Sequence, residues 1–447
     1  MIARPPATAP RPYQFPYFER RGLENGLTVW LIPLHDRDLV SVHLLTDAGA
    51  AAEEESQAGI ASLSAQLLVT GTERLDAADF AEATERLGID VSSESSWDSA
   101  RAGFVALGEH LEAGLGLLAE MVLHPRFDER EFDRLKAERL NDILQSRADP
   151  GRLADESFLR ELFADGVPYR RLSAGTPESV EALTVDGVRS FHATRYAPNV
   201  AHLIVAGSFD EAQTMAAIER QLGSWSGEGP GHREIQPRER GGRRVVLVDR
   251  PGSVQSELRV GHLGIDRHDP RYFPAMVMAA LLGGVFSSRL NLRLREELGY
   301  TYGARCSFDP RRAPGPFAAT AAVQTEVTAD AVRELLGQLE RIRNEEPAEK
   351  ELAEVRDFLI GVFPLRFETT AGIAGAIEPL AVYGLSDDYW QTYRAQIEAV
   401  GVADVQAAAR DLVRPDDALI LLTGDASRVR GELESAGFGP LEVISAP

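Results

Sequence analysis

Arg295 and Tyr302 stand seven residues apart in the segment Ser288-Arg289-Leu290-Asn291-Leu292-Arg293-Leu294-Arg295-Glu296-Glu297-Leu298-Gly299-Tyr300-Thr301-Tyr302-Gly303. A guanidinium and a phenol hydroxyl are fixed hydrogen-bond donors. Aimed at one point, they suit a carbonyl oxygen that gains negative charge as water attacks it. The segment reads as a helix end followed by a strand, which would let both side chains converge. By spacing alone the two read first as a helix arginine in a surface salt bridge and a buried tyrosine capping a strand.

Other reactive constellations are sparse. The nine histidines are His35, His43, His110, His124, His192, His202, His232, His262 and His268, and no two are three or four apart, so none forms the pair that shares a helical face on a metal. His262 and His268 are neighbours across a loop but lack a third ligand. No Gly-x-Ser-x-Gly elbow occurs, and Cys306, the single cysteine, has no histidine near it in sequence. It is expected to be a small core residue.

The elements that must carry these residues repeat. Gly26–Ile32 and Val40–Leu45 read as strands, followed by helical patterns at Ala58–Val69, Ala77–Leu87 and His110–Leu123, with paired strands at Ile89–Ser93 and Ser99–Leu107. Arg244–Val248 and Gln255–His262 begin the series again, and an apolar helix from Phe273 to Leu282 matches the Ala58 helix. The helix Asp186–Tyr196 with the strand Ala201–Gly207 is echoed by Val402–Leu412 with Ala418–Gly424. A period of roughly 220 residues implies duplicated domains, because solenoid repeats run about 20 to 50 residues. Glycine and charge without periodicity mark residues 226–243 as a solvated linker. The predicted organisation is α+β: domains at 1–225 and 244–447, each a mixed, mainly antiparallel sheet with helices on one side.

At 447 residues the chain exceeds one core, and 44% hydrophobic with 26% charged residues is the balance of an ordinary globular protein. The net charge of −22 argues against nucleic acid, whose binding needs a basic face. No apolar run approaches the roughly 20 residues of a membrane span. Met1–Pro16 lacks the apolar stretch of a secretory signal, so a cytoplasmic location is expected, or a periplasmic one if a leader has been removed.

The segment Gly59-Ile60-Ala61-Ser62-Leu63-Ser64-Ala65-Gln66-Leu67-Leu68-Val69-Thr70-Gly71-Thr72 resembles the helix carrying His-x-x-Glu-His in the family of pitrilysin, insulin-degrading enzyme and mitochondrial processing peptidase. In those enzymes two histidines on one helical face bind zinc and the glutamate activates the bound water. Here the corresponding positions are Ser62, Ala65 and Gln66, poor substitutes for imidazole and carboxylate. The resemblance puts the third ligand position at Asp142, in Glu138-Arg139-Leu140-Asn141-Asp142-Ile143, where one carboxylate without imidazole partners makes at best a weak site. The resemblance covers nearly the whole chain. Val167-Pro168-Tyr169, Gly175-Thr176, Gly207-Ser208-Phe209-Asp210 and Gly424-Asp425 add weaker matches.

The same family carries an arginine and a tyrosine seven residues later, as Arg295 and Tyr302 do, that reach the zinc and grip the substrate carbonyl. Tyr300 is the rival, because some members have tyrosine directly after the glycine. The resemblance therefore implies a clam-shell half whose own metal site is lost: the non-catalytic subunit of a heterodimeric zinc metallopeptidase. It would bind no zinc itself and would supply peptide-binding chamber and the Arg295/Tyr302 pair to a homologous zinc-bearing partner. The alternative is a structural scaffold or peptide-binding protein without catalytic contribution.

Overall fold

The computed structural model describes residues 11–446, so the reading of Met1–Pro16 falls largely outside it. Strands β1 (Glu19–Gly22), β2 (Thr28–Pro33), β3 (Leu39–Thr46), β4 (Asp90–Ser95), β5 (Ala100–Leu107) and β6 (His202–Gly207) form one sheet, in the order β1-β2-β6-β3-β5-β4. Strands β7 (Arg244–Asp249), β8 (Gln255–Leu263), β9 (Thr301–Phe308), β10 (Pro316–Gln324), β11 (Leu419–Gly424) and β12 (Leu441–Ser445) form the other, in the order β12-β7-β11-β8-β10-β9. The two are superposable in plan. β2 runs parallel to β6 as β7 does to β11, and β3 and β8 are antiparallel to both neighbours. Only the outer strand differs: β1 is antiparallel to β2, whereas β12 is parallel to β7.

The expectation of helices on one side of each sheet is corrected. In β2, Val29 and Leu31 face their own half while Trp30 and Ile32 face the core of the second half. β6 divides likewise, with Leu203 and Val205 on one face and Ile204 and Ala206 on the other. The second face of the first sheet is covered by a helix of the other half, Thr370–Tyr383, which packs on β3 and β6. In return the helix Pro150–Leu162 packs on β8 and β11, placing Leu153, Ala154 and Phe158 against Val246, Val248, Leu419 and Leu421. The central strands are therefore nearly continuous apolar runs, because both faces are dry.

Polar contacts fix this exchange. Glu378 on the Thr370–Tyr383 helix accepts from His43 of β3 at 2.7 Å and from Arg101 of β5 at 3.1 Å, and Ser41 Oγ meets Thr370 Oγ1 at 2.8 Å. Burial pushes the Glu378 carboxyl up, but His43 and Arg101 outweigh it and leave it below the usual carboxylate range. On the other sheet, Arg259 of β8 donates to Asp155 at 2.6 Å and to the Gly151 carbonyl at 3.0 Å.

Residues 226–243 run mostly exposed between the halves, and their last part is anchored to both. Ala164 donates to the Arg238 carbonyl and Arg240 to the Leu162 carbonyl, at 2.8 and 2.9 Å. Glu239 pairs with Arg414 at 2.6 Å, and Arg240 with Glu161 at 3.1 Å. Glu239 and Arg240 thus find partners in the second and first half respectively. No described helix is long and apolar enough to cross a membrane.

Candidate functional site

The helix Ile60–Leu68 starts beneath the loop at Gly175, and the approach is close. Gly59 has φ +95°, and a Cβ there would stand 2.6 Å from the Ala174 carbonyl oxygen; one on Gly175 would stand 2.4 Å from that of Ala58. Both positions need glycine. Under the helix N-terminus lies the Glu53 carboxylate, which accepts from the Gly59 and Ala61 N–H groups at 3.1 and 2.8 Å and pairs with Arg171 at 2.7 Å. Burial raises its pKa to about 7, against the opposing pull of Arg171 and those two amides.

Every residue of this helix is buried except Ser62 and Gln66, which share its open side. Ala65 is fully buried, and Asp142 is exposed on the helix Glu129–Ala148. These positions do not come together as a metal site. Instead Arg139, three residues before Asp142, donates from Nη2 to Ser62 Oγ at 2.8 Å. Burial lowers its pKa and Asp142 partly restores it. A hydroxyl held by a guanidinium, with a methyl and a neutral amide at the other two positions, does not suit zinc, which takes imidazole, thiolate and carboxylate ligands. Among the described residues no group of three or more His, Cys, Asp or Glu side chains could hold a metal ion. Arg139 was missed from the sequence. Its signal was the spacing that puts it on the same helical face as Asp142.

The second constellation is built by a different device. The Phe273–Leu282 pattern is helical from Tyr272 to Ala279 and then widens into a π-type turn, and a second such turn spans Asn291–Glu297. Asn291 pins the second turn to β9, donating to the Val285 carbonyl at 3.2 Å and accepting from Ala304 N–H at 2.9 Å. Arg289 with Glu351 and Arg293 with Glu334 form two-bond pairs at 2.7 to 3.0 Å on its flanks. Gly299, at φ +66°, reverses the chain into β9.

This framework places Arg295 at the turn's end and Tyr302 on β9, the edge of its sheet. Tyr302 is 93% exposed, whereas Tyr300 is partly buried against the core, so Tyr302 is the freely presented phenol. The Arg295 guanidinium lies 4.4 Å from the centre of the Phe286 ring, which is 68% exposed, and 3.6 Å from Glu296. Arg295 and Tyr302 do not bond to each other. Both stand open to whatever lies over this face.

The two halves also enclose a cavity of about 530 Å³ lined by Asp47, Asp98, His202, His232, His268, Arg312 and Tyr383 among others; it gathers three of the nine histidines but neither the Ser62/Gln66 positions nor Arg295 and Tyr302. Asp98 accepts from the hydroxyls of Tyr169 at 3.4 Å and Tyr383 at 3.1 Å, and from Arg312 N–H at 3.0 Å, tying three segments together. Trp97-Asp98 gave no sequence signal for this. Its partners are far away along the chain. Cys306 is buried, and burial pushes its thiol well above the usual range.

The two six-stranded sheets with exchanged helices define the class: a clam-shell half of the insulinase type, with a degenerate metal helix. Residues 29–166 match the family model described as Insulinase (Peptidase family M16), and residues 182–359 match Peptidase M16 inactive domain. The chain belongs to this peptidase family. It is 24% identical over 373 residues to the non-peptidase homolog YmxG of Helicobacter pylori, covering 81% of this chain and 84% of that one. It is 28% identical over 400 residues to an uncharacterized zinc protease of Mycobacterium tuberculosis, covering 88% and 90%. Among solved structures it resembles a peptidase M16 inactive domain from Pseudomonas fluorescens, with TM-score 0.85 and 26% identity over 91% of this chain and 98% of that one. A Helicobacter pylori protease shares the fold at TM-score 0.84, 20% identity, 92% and 100% coverage.

Proposed function

We propose that this chain is the non-catalytic subunit of a heterodimeric zinc metallopeptidase. A homologous partner carries the zinc; this chain binds none and closes the chamber over the substrate. The observation that carries the reading is a contrast within one molecule. The helix Ile60–Leu68 holds Ser62, Ala65 and Gln66 with Arg139 bonded to Ser62, while Tyr302 is presented on an open edge strand and Arg295 on the turn leading to it. In the assembled chamber Arg295 and Tyr302 donate hydrogen bonds to the carbonyl oxygen of the scissile peptide as its charge develops. The substrate is an extended peptide held by strand addition, where main-chain hydrogen bonds tolerate sequence variation. The edge strands β4 and β9 each leave one side without a partner strand. The zinc-protease naming of the mycobacterial relative supports a family that works on peptides with zinc.

A specific observation favours the scaffold reading: Arg295 is stacked on Phe286 and makes no hydrogen bond to Tyr302. Tyr302→Phe decides between them. Assayed in the mixture with a partner bearing His-x-x-Glu-His, it lowers turnover on the order of 10²-fold if the phenol is an oxyanion donor. Unchanged turnover would establish the scaffold.

A further inference from the structure

Arg139 has more hydrogen-bonding capacity than its surroundings use. A guanidinium offers five N–H donors, and the one hydrogen bond this side chain makes among the described residues is to Ser62 Oγ. Arginines on the same helix are held by carboxylates: Arg134 by Glu131 and Glu138, Arg147 by Glu156. Arg139 has no such pair among the described residues. Asp142 supports its charge from one turn along without forming an ion pair.

Its location gives that spare capacity an object. Ser62 and Gln66 are the half-buried side of an otherwise buried helix, and Arg139, itself half-buried, meets that side at Ser62. The helix packs on β4, which pairs only with β5 and has its other side free. A peptide added to β4 would lie along the strand that this helix covers, and Gln66 stands one turn from Ser62 on the same helical face.

We propose that Arg139, framed by Ser62 and Gln66, binds a carboxylate of an extended peptide lying along β4, either a C-terminal carboxylate or an acidic side chain. This rests on the reading of the chain as a wall of a peptide chamber. The planar fork of the guanidinium matches the two oxygens of a carboxylate, and partial burial limits competition from water. A phosphate would fit the fork as well, but Asp142 one turn along and the chain's net charge of −22 act against a doubly charged anion.

The test is fluorescence anisotropy of the full chain with three short fluorescein-labelled peptides of otherwise identical neutral sequence. One has a free C-terminus, one a C-terminal amide, and one an amide with a single internal aspartate. The free acid is expected to bind about 10- to 100-fold tighter than the amide, the range of one charge-assisted contact. Arg139→Met should erase that preference while leaving the affinity for the amide unchanged, and Arg139→Lys should keep part of it. Recovery of affinity by the internal aspartate assigns the site to acidic side chains; no recovery assigns it to the chain terminus. The acid-over-amide ratio of the unaltered chain is read without any variant, so a misfolded substitution does not remove the test. Equal binding of acid and amide, or a preference that survives Arg139→Met, overturns the carboxylate site and leaves the chamber reading standing. No binding of any of the three peptides likewise overturns the carboxylate site, while the chamber reading, which concerns the assembled pair, stands or falls by the Tyr302→Phe assay.

Discussion

Glu53 offers a contest between burial and its hydrogen-bond donors that can be weighed at the bench. Its side chain has no exposure to solvent, and it faces Arg171 and the amides of Gly59 and Ala61. Burial wins and lifts the pKa from 4.5 to about 7. At about 1.4 kcal/mol per unit the upper bound on the linked stability is on the order of 3 kcal/mol. With the folded pKa raised, the contribution is whole below pH 4.5 and lost as pH rises through 7, because between those values the folded chain keeps a proton that the unfolded chain has already released. Glu53→Gln removes the titration at the cost of one acceptor for three donors. Urea unfolding of both chains between pH 5 and 8 should show the stability of the unaltered chain falling relative to Glu53→Gln as pH rises, by up to that amount. A flat difference, or one that grows with pH, would show that Arg171 and the amides outweigh burial and refute the reasoning.

Other outcomes follow from the same geometry. Phe158→Ala removes a ring of the first half from beneath the second sheet and should cost about 3 to 5 kcal/mol. Because the halves exchange helices, urea unfolding followed by tryptophan fluorescence should show one transition that shifts as a whole, and two separate transitions would contradict the exchange. Burial lowers His192, His202 and His262 to about 4. Imidazole NMR titration should find them there. The stability they hold above pH 6.5 is then lost as pH falls through 4, up to about 3 kcal/mol each. Tyr302→Phe, at an exposed position, should leave the melting temperature of the isolated chain unchanged while lowering turnover in the mixture, and a large drop in melting temperature would assign it a packing role.

What the sequence made legible was whatever is encoded locally. Strand runs such as Val29–Ile32 and Leu419–Leu422 and the repeated order of elements foretold two matching sheets. The same runs concealed how they pack: a strand dry on both faces carries no alternation to say which face meets which helix. That is why the exchange of Pro150–Leu162 and Thr370–Tyr383 went unseen. The charged stretch 238–244 looked solvated because the partners of Glu239 and Arg240, at Arg414 and Glu161, lie far from it in sequence. Around the metal helix, the losses at Ser62, Ala65 and Gln66 could be read directly, whereas Arg139 required knowing which side of its helix faces them. Glu53, Asp98 and Glu378 are single polar residues whose roles exist only once distant segments meet.

The central claim is that this chain completes a peptidase without carrying its zinc. A quenched fluorescent peptide should be incubated with the chain alone, with a His-x-x-Glu-His relative from the same genome alone, and with the two mixed, while zinc is measured in each. Cleavage confined to the mixture, with zinc found only in the relative, is the predicted result. Turnover by this chain alone with one equivalent of bound zinc would contradict it.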